Sequence, residues 1–410
     1  MREGTPLHLF EGYGIELEYM IVDRDSLAVS PLTDRVLEQA AGEIRNEIEV
    51  GPLCWSNELV LHVIELKTNG PAPELGSLAE QFQTGITQVN EQLAGLNARL
   101  LGTAMHPWMD PEREARLWPH ENSPIYTAYN KIFGCQGHGW SNLQSMHINL
   151  PFADDAEFGR LHAAIRLVLP LLPALAASSP IVAGRATGIL DNRLEFYRHN
   201  QQKIPEIAGQ VIPEAVYCQA DYESRILQPS YRAIAPYDPQ KVLQEEWLNS
   251  RGAIARFERN AIEIRLLDVQ EYPGADLAIA ALVIALIRAL CQDRWVEVRQ
   301  LQKIEVAPLA QLFQRTLRDR DVLIEDSEYL DCFGVRDAQT SVVDLWKRLY
   351  EQLESDIPPD YRAPLELILN SGSLARRILT ALPQNFNRDE LNSVYRRLAD
   401  CLSAGEMFND

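Results

Sequence analysis

Gly14-Ile15-Glu16-Leu17-Glu18-Tyr19 alternates apolar and acidic residues with a period of two. Successive strand side chains point to opposite faces, so Glu16 and Glu18 share one face while Ile15 and Leu17 take the other. Two distant stretches repeat the pattern, Ser145-Met146-His147-Ile148-Asn149-Leu150 and Ala261-Ile262-Glu263-Ile264-Arg265-Leu266. Ser145, His147 and Asn149 fall on one face of their strand, and Glu263 and Arg265 on one face of theirs. This is the signature of an antiparallel sheet with an oily face against helices and a polar face toward water or a ligand. An ordinary wetted face shows the same alternation. The choice of polar residues, carboxylates with an imidazole and a guanidinium, also suits divalent cations, which prefer oxygen ligands.

A fourth stretch, Asn57 to Thr68, places Glu65 and Lys67 on one strand face. Glu58 stands seven residues before Glu65, an odd separation, so either a bulge intervenes or Glu58 lies in the preceding turn.

The chain has 410 residues, 46% hydrophobic and 23% charged, the composition of a soluble globular protein. Its net charge of −20 disfavours nonspecific contact with nucleic acid or anionic membrane. Met1 to Pro6 has no apolar core of a secretory signal. The six cysteines contain no CxxC pair, which argues against a zinc site and a disulfide framework and points to reduced thiols in a cytoplasm. The longest apolar run, Leu277 to Ile287, is too short to span a bilayer and reads as a buried helix.

Along the chain, Phe10 to Asp23 reads as strand, and an amphipathic helix opens at Pro73-Glu74-Leu75. Arg99 to Met105 reads as strand, and Asp154 and Asp155 cap a helix running to about Leu169. Asp238-Pro239 begins a short helix, and an apolar helix runs from Asp276 to about Leu301. Beyond it, Leu309 to Leu317, Val342 to Leu353, Pro364 to Leu369, Ser373 to Leu382 and Arg388 to Leu402 all read as helix. The expected architecture is α+β, a sheet of about six antiparallel strands flanked by helices. Residues 1–292 form a catalytic core on which a helical region, 293–410, packs. Two long irregular stretches, Trp108 to Trp140 and Gly184 to Pro239, are long enough to suspect function.

Over roughly residues 8 to 292 these segments resemble the carboxylate-amine ligases of the glutamate-cysteine ligase family, in its bacterial and plant branch. The family's Gly-Ile/Val-Glu-x-Glu strand is matched by Gly14 to Glu18, and its paired acids by Glu58, Glu65, Leu66 and Thr68. Met105-His106-Pro107 resembles a Thr-His-Pro strand end. The family's His-x-His strand is half kept, with His147 in one place and Ser145 in the other. Ala174 to Pro180, then Gly184, Thr187-Gly188 and Arg193, follow the family's order, as do Glu263, Arg265 and Asp268.

The resemblance implies a curved sheet like that of glutamine synthetase and the guanidino kinases, holding ATP and two or three magnesium ions. It implies metal binding by Glu16, Glu18, Glu58, Glu65, His147 and Glu263, with Arg265 and Glu263 acting in catalysis. Arg193 could fork onto a substrate carboxylate or form a structural ion pair, and Arg256, Arg259 and Thr187 are candidates for ATP or substrate contact. Gly134 to Gly139 lacks the lysine and the strand-to-helix setting of a P-loop and reads as a mobile loop near the site. The implied reaction activates a carboxylate with ATP as an acyl phosphate and joins it to an amine. Glutamate and cysteine are the family's substrates, and the partners expected are small molecules, with homo-oligomerisation left open. Ser145, and apolar Leu61 where relatives often carry a polar residue, are departures that bear on one metal site or the substrate pocket. A guanidino-kinase-type phosphotransferase and a catalytically silent ATP-binding relative are the alternatives.

Overall fold

The computed structural model describes residues 6–409, so the reading of the first five residues lies outside it. Eight strands form one antiparallel sheet: β1 (Gly14–Asp23), β2 (Glu47–Val50), β3 (Leu53–Asn57), β4 (Val63–Thr68), β5 (Ala98–Leu101), β6 (Ser145–Pro151), β7 (Ala253–Arg256) and β8 (Ala261–Asp268). Their order is β2-β3-β4-β1-β6-β8-β7, with β5 pairing the second half of β1. The sequence suggests about six strands. The additional ones come from a hairpin turning at Gly51-Pro52 and from short β7. β3, Leu-Cys-Trp-Ser-Asn, is buried at every position and so shows no alternation.

The oily face is what the alternation predicts. Ile15, Leu17, Ile64, Leu66, Met146, Ile148, Ile262 and Ile264 pack in one cluster with Phe82, Ile86 and Val89 of α1 (Leu78–Ala94). The same cluster takes in α2 (Asp155–Val168) and α3 (Pro273–Cys291). α2 begins where expected, since the Asp154 carboxylate accepts from the Glu157 N–H at 2.9 Å. α1 begins at Leu78 rather than Pro73, after a turn at Leu75 closed by the Leu78 N–H. β1 begins at Gly14 rather than Phe10, whose φ of 63° belongs to a turn. β5 stops at Leu101, where Gly102 lies against the Gln270 backbone.

α3 ends at Cys291 instead of continuing to Leu301. Asp293 adopts φ 57° and its carboxylate accepts from the Val298 N–H, starting a separate turn. Although α3 is long and apolar enough to cross a membrane, 89% of its apolar window is buried in the fold. Asp238-Pro239 does not begin a helix. The Asp238 carboxylate accepts from the Val242 and Leu243 N–H groups to order a loop, and the nearby helix is Gln228–Ile234.

After Cys291 the chain is mainly helical, with a two-stranded ladder at 323–324 and 340–341. Val342–Leu353, Pro359–Ser371 and Leu374–Ala381 follow. The last helix, α4 (Arg388–Ala404), lays Leu391, Val394, Tyr395 and Leu398 against Met20, Val22 and Leu101. Met20 and Val22 continue the parity of Glu16 and Glu18. The polar face is therefore apolar and covered at this end of β1, and the charged residues are confined to the other.

Candidate active site

Strand register brings the alternating acids together. Glu18 on β1 stands directly opposite Glu65 on β4, and Glu16 stands between Lys67 on β4 and His147 on β6. Glu263 on β8 faces Asn149 on β6, which donates to Glu16 at 2.9 Å. Glu58 follows β3 in the connection to β4 and opens partly to the cavity, which settles its odd spacing as a turn.

The β6–β8 pairing slips between Ile264 and Leu267, so Arg265 and Leu266 together oppose His147. This bulge changes the parity of β8. Glu263 and Arg265 face the site before it, and Asp268, paired with Ser145, reaches the same face after it. Asp268 is fully buried and accepts from the Ser178 N–H, the Ser179 hydroxyl and Arg193 Nε.

Charge divides the cluster. Burial pushes the Glu58 carboxyl well above the usual range, and the Glu18 and Glu65 charges add to it. Burial likewise raises Glu18 and Glu65, each also facing another carboxylate. At Glu16 burial pulls upward too, but the His147 hydrogen bond and the His147 and Lys67 charges outweigh it and the carboxyl ends low. Glu263 also ends low, because Arg265, His147 and Arg256 overcome its burial.

Ser145 links the halves. Its N–H and hydroxyl both donate to Glu18 Oε2, at 2.7 and 2.9 Å, and its oxygen lies 2.9 Å from His147 Nε2. His147 Nδ1 lies 3.0 Å from Glu16 Oε2, so the ring bridges Ser145 and Glu16. Burial lowers the His147 pKa, but the Glu16 hydrogen bond and the Glu18 and Glu16 charges outweigh it and the value ends raised.

Like charges directly opposite in a sheet repel, and Glu18 stands so opposite Glu65, whose Oε2 alone is met by Lys67 Nζ at 2.9 Å. Ligand atoms of Glu18, Glu65 and His147 lie within 4.8 Å of one another, as do those of Glu16, His147 and Glu263. An oxygen-rich set with one imidazole suits magnesium or manganese, so the residues fit such an ion. Glu58 belongs to neither set.

Glu18, Glu58, His147, Arg193 and Arg265 border a cavity of about 270 Å³. Its opposite wall is aromatic, with Tyr126 and Tyr129 from the helix Ser123–Phe133, and Trp140, Tyr197 and Trp247. Tyr129 is 5.4 Å from Trp140 and 6.1 Å from Trp247 between ring centres. Alternation cannot reveal this wall, which apart from Trp247 comes from the two long irregular stretches suspected of function from their length. Gly139 lines it, placing the Gly134 to Gly139 loop at the cavity.

The other candidates divide. Arg265 Nε sits 2.8 Å from Glu263 and borders the cavity. Arg193 also borders it, while Nε holds Asp268 at 2.5 Å and Nη2 donates to the Arg265 carbonyl at 3.2 Å. Arg256 is buried beside the cluster, 2.6 Å from Glu258 and 3.6 Å from Glu263. Arg259 is exposed, 3.8 Å from Glu258, and Thr187 is exposed with its hydroxyl on Asn192; neither lines the cavity. Leu61 lies in the turn before β4, its N–H donating to the Arg116 carbonyl.

Residues 13–397 match the profile of the family described as glutamate-cysteine ligase family 2. The chain belongs to that family. Among its relatives is an uncharacterized protein of Archaeoglobus fulgidus, 34% identical over 96% of this chain and 99% of that one. Among solved structures, glutamate-cysteine ligase from Francisella tularensis, in complex with AMP, superposes with a TM-score of 0.61 at 14% identity. That match covers 96% of this chain and 89% of the other. A bifunctional glutathione synthetase from Pasteurella multocida gives 0.60 at 14% identity, over 97% of this chain and 53% of that one. At such identities the likeness is one of fold.

Proposed function

We propose that this family member is an ATP-dependent carboxylate-amine ligase that forms an amide through an acyl phosphate, with glutamate as the acid. The observation that carries this reading is the buried Glu18–Glu65 pair with Glu58 beside it, a concentration of negative charge at a cavity that calls for divalent cations. The AMP bound to the Francisella tularensis enzyme supports an adenine nucleotide as co-substrate.

A carboxylate is a poor electrophile. In the proposed reaction its oxygen attacks the γ-phosphorus of ATP and ADP departs; the amine nitrogen then attacks the acyl carbon, phosphate leaves, and the nitrogen loses a proton. Glu16, Glu18, Glu65, His147 and Glu263 would hold the magnesium, with Glu58 adding negative charge beside them. When bound, the ions neutralise phosphate oxygens and align them with the attacking group. Arg265, on the same face and bordering the cavity, offers its guanidinium to the transferring phosphoryl group. Asp268 fixes Arg193, and through it the Arg265 backbone.

The test is release of ADP and inorganic phosphate from Mg-ATP and glutamate, against a panel of amines including cysteine, with products weighed by mass spectrometry. Amine-dependent phosphate release and a product lighter than its two components by one water are expected. Phosphate transfer to the acceptor with none released would make the protein a phosphotransferase. ATP binding without turnover across the panel would count against a ligase.

A further inference from the structure

Two ladders of side chains cross the polar face, and they are charged differently. Glu47, Ser56, Glu65 and Glu18 follow one another on β2, β3, β4 and β1, three carboxylates without a cation. In the next ladder Cys54, Lys67, Glu16 and His147 follow on β3, β4, β1 and β6. Lys67 Nζ leans out of its own ladder into the first, 2.9 Å from Glu65 Oε2 and 2.7 Å from Glu47 Oε2. The Ser56 hydroxyl donates to the same Glu65 oxygen at 2.6 Å. One oxygen of Glu65 is thus held by an ammonium and a hydroxyl, and the other is left for an ion shared with Glu18.

The second set of ligand atoms is also balanced from within. Glu16 has Lys67 and His147 on either side, and Glu263 has Arg265 at 2.8 Å. A divalent ion entering there meets Lys67 in the register position beside Glu16 and the Arg265 and Arg256 guanidiniums at Glu263, the latter at 3.6 Å.

We propose that Lys67 is a built-in cation of this site, standing in for a divalent ion, so that the nucleotide-free protein takes a single ion, on Glu18 and the free oxygen of Glu65. Further ions enter with the nucleotide, whose phosphates bring the missing negative charge. The inference rests on the ligase reading only in treating the cluster as a metal site.

The experiment is a manganese titration of the full chain without nucleotide, with free Mn²⁺ followed by electron paramagnetic resonance. The wild type takes a single ion, Lys67→Met takes a second, and Lys67→Arg behaves as wild type. Lys67→Gln is the second neutral variant, and circular dichroism shows which variants are folded. A neutral variant that keeps the wild-type count overturns the inference, even if its one ion binds more tightly, and so does a wild type that already takes two. A wild type that takes none removes the metal reading beneath the proposed function instead.

Discussion

A metal ion that takes a nitrogen of His147 competes with a proton there, and against the effect of burial the Glu16 and Glu18 carboxylates raise the His147 pKa. The same competition holds at Glu18 and Glu65, whose carboxyls burial raises. Manganese binding is therefore expected to release protons and to weaken as pH falls. Calorimetry in buffers of different ionisation enthalpy reads this directly, and equal apparent enthalpies in all of them would contradict it. Stability follows the same groups. For Glu18, Glu58, Glu65 and His147 the folded value is raised, so their contribution is fully present below the ordinary pKa and is lost as pH rises through the folded one. Glu16 and Glu263 are lowered, so theirs is lost only at the acid end. Metal-free protein should melt higher at about pH 6 than at about pH 8, and magnesium should narrow the gap. Glu16→Gln and Glu263→Gln are expected to cut ATP turnover by about 100-fold or more while leaving circular dichroism unchanged. Wild-type rates in either would remove that residue from the catalytic set. Face parity in the sequence is enough to group these residues, but not to place Glu18 opposite Glu65, because register is set between strands distant in sequence.

The bulge in β8 is the element that most escapes sequence reading. Glu263, Arg265 and Asp268 cannot all share a face of a regular strand, and only the slip opposite His147 allows it. Nothing in Glu-Ile-Arg-Leu-Leu-Asp marks the place of the extra residue. Other elements end for reasons local composition hides. β5 stops because Gly102 meets the chain leading into α3, and an added Cβ there would lie 2.8 Å from the Gln270 carbonyl oxygen and 3.1 Å from Glu271 Cα. Both are backbone atoms with little freedom to give. Gly102→Ala is expected to destabilise the fold by about 2 kcal/mol in urea unfolding. A change within error would mean that the strand-to-helix joint is looser than its packing indicates. Where local chemistry does govern, the reading is sound: Asp154 caps α2, and Val342–Leu353 runs between the limits its apolar spacing predicts.

At the scale of the whole molecule, the residues after Cys291 are tied to the first part by its own backbone. The Tyr329 hydroxyl donates to the Leu167 carbonyl, Trp346 Nε1 to that of Leu171, and the Tyr361 hydroxyl to that of Leu75. Glu271, at the foot of α3, is fully buried with Arg377 at 2.5 Å. We expect residues 1–292 expressed alone to lack a cooperative transition, whereas the full chain should unfold in a single step by tryptophan fluorescence and circular dichroism. A stable, cooperative fragment would make the two parts independent domains. Sequence periodicity announces the helices of this region but not which carbonyls they seal, because those contacts span more than a hundred residues. The aromatic wall has a practical consequence. Trp140 and Trp247 line the cavity, whereas Trp55, Trp118 and Trp346 are sealed in the core. Acrylamide can collide with the first pair, and with the half-buried Trp108 and Trp295 that do not line the cavity, but scarcely with the other three, so the quenching that a ligand removes reports the indoles at the cavity. The protein carries its own optical reporter, and the order in which metal, nucleotide and acid shield that wall can be followed without a label.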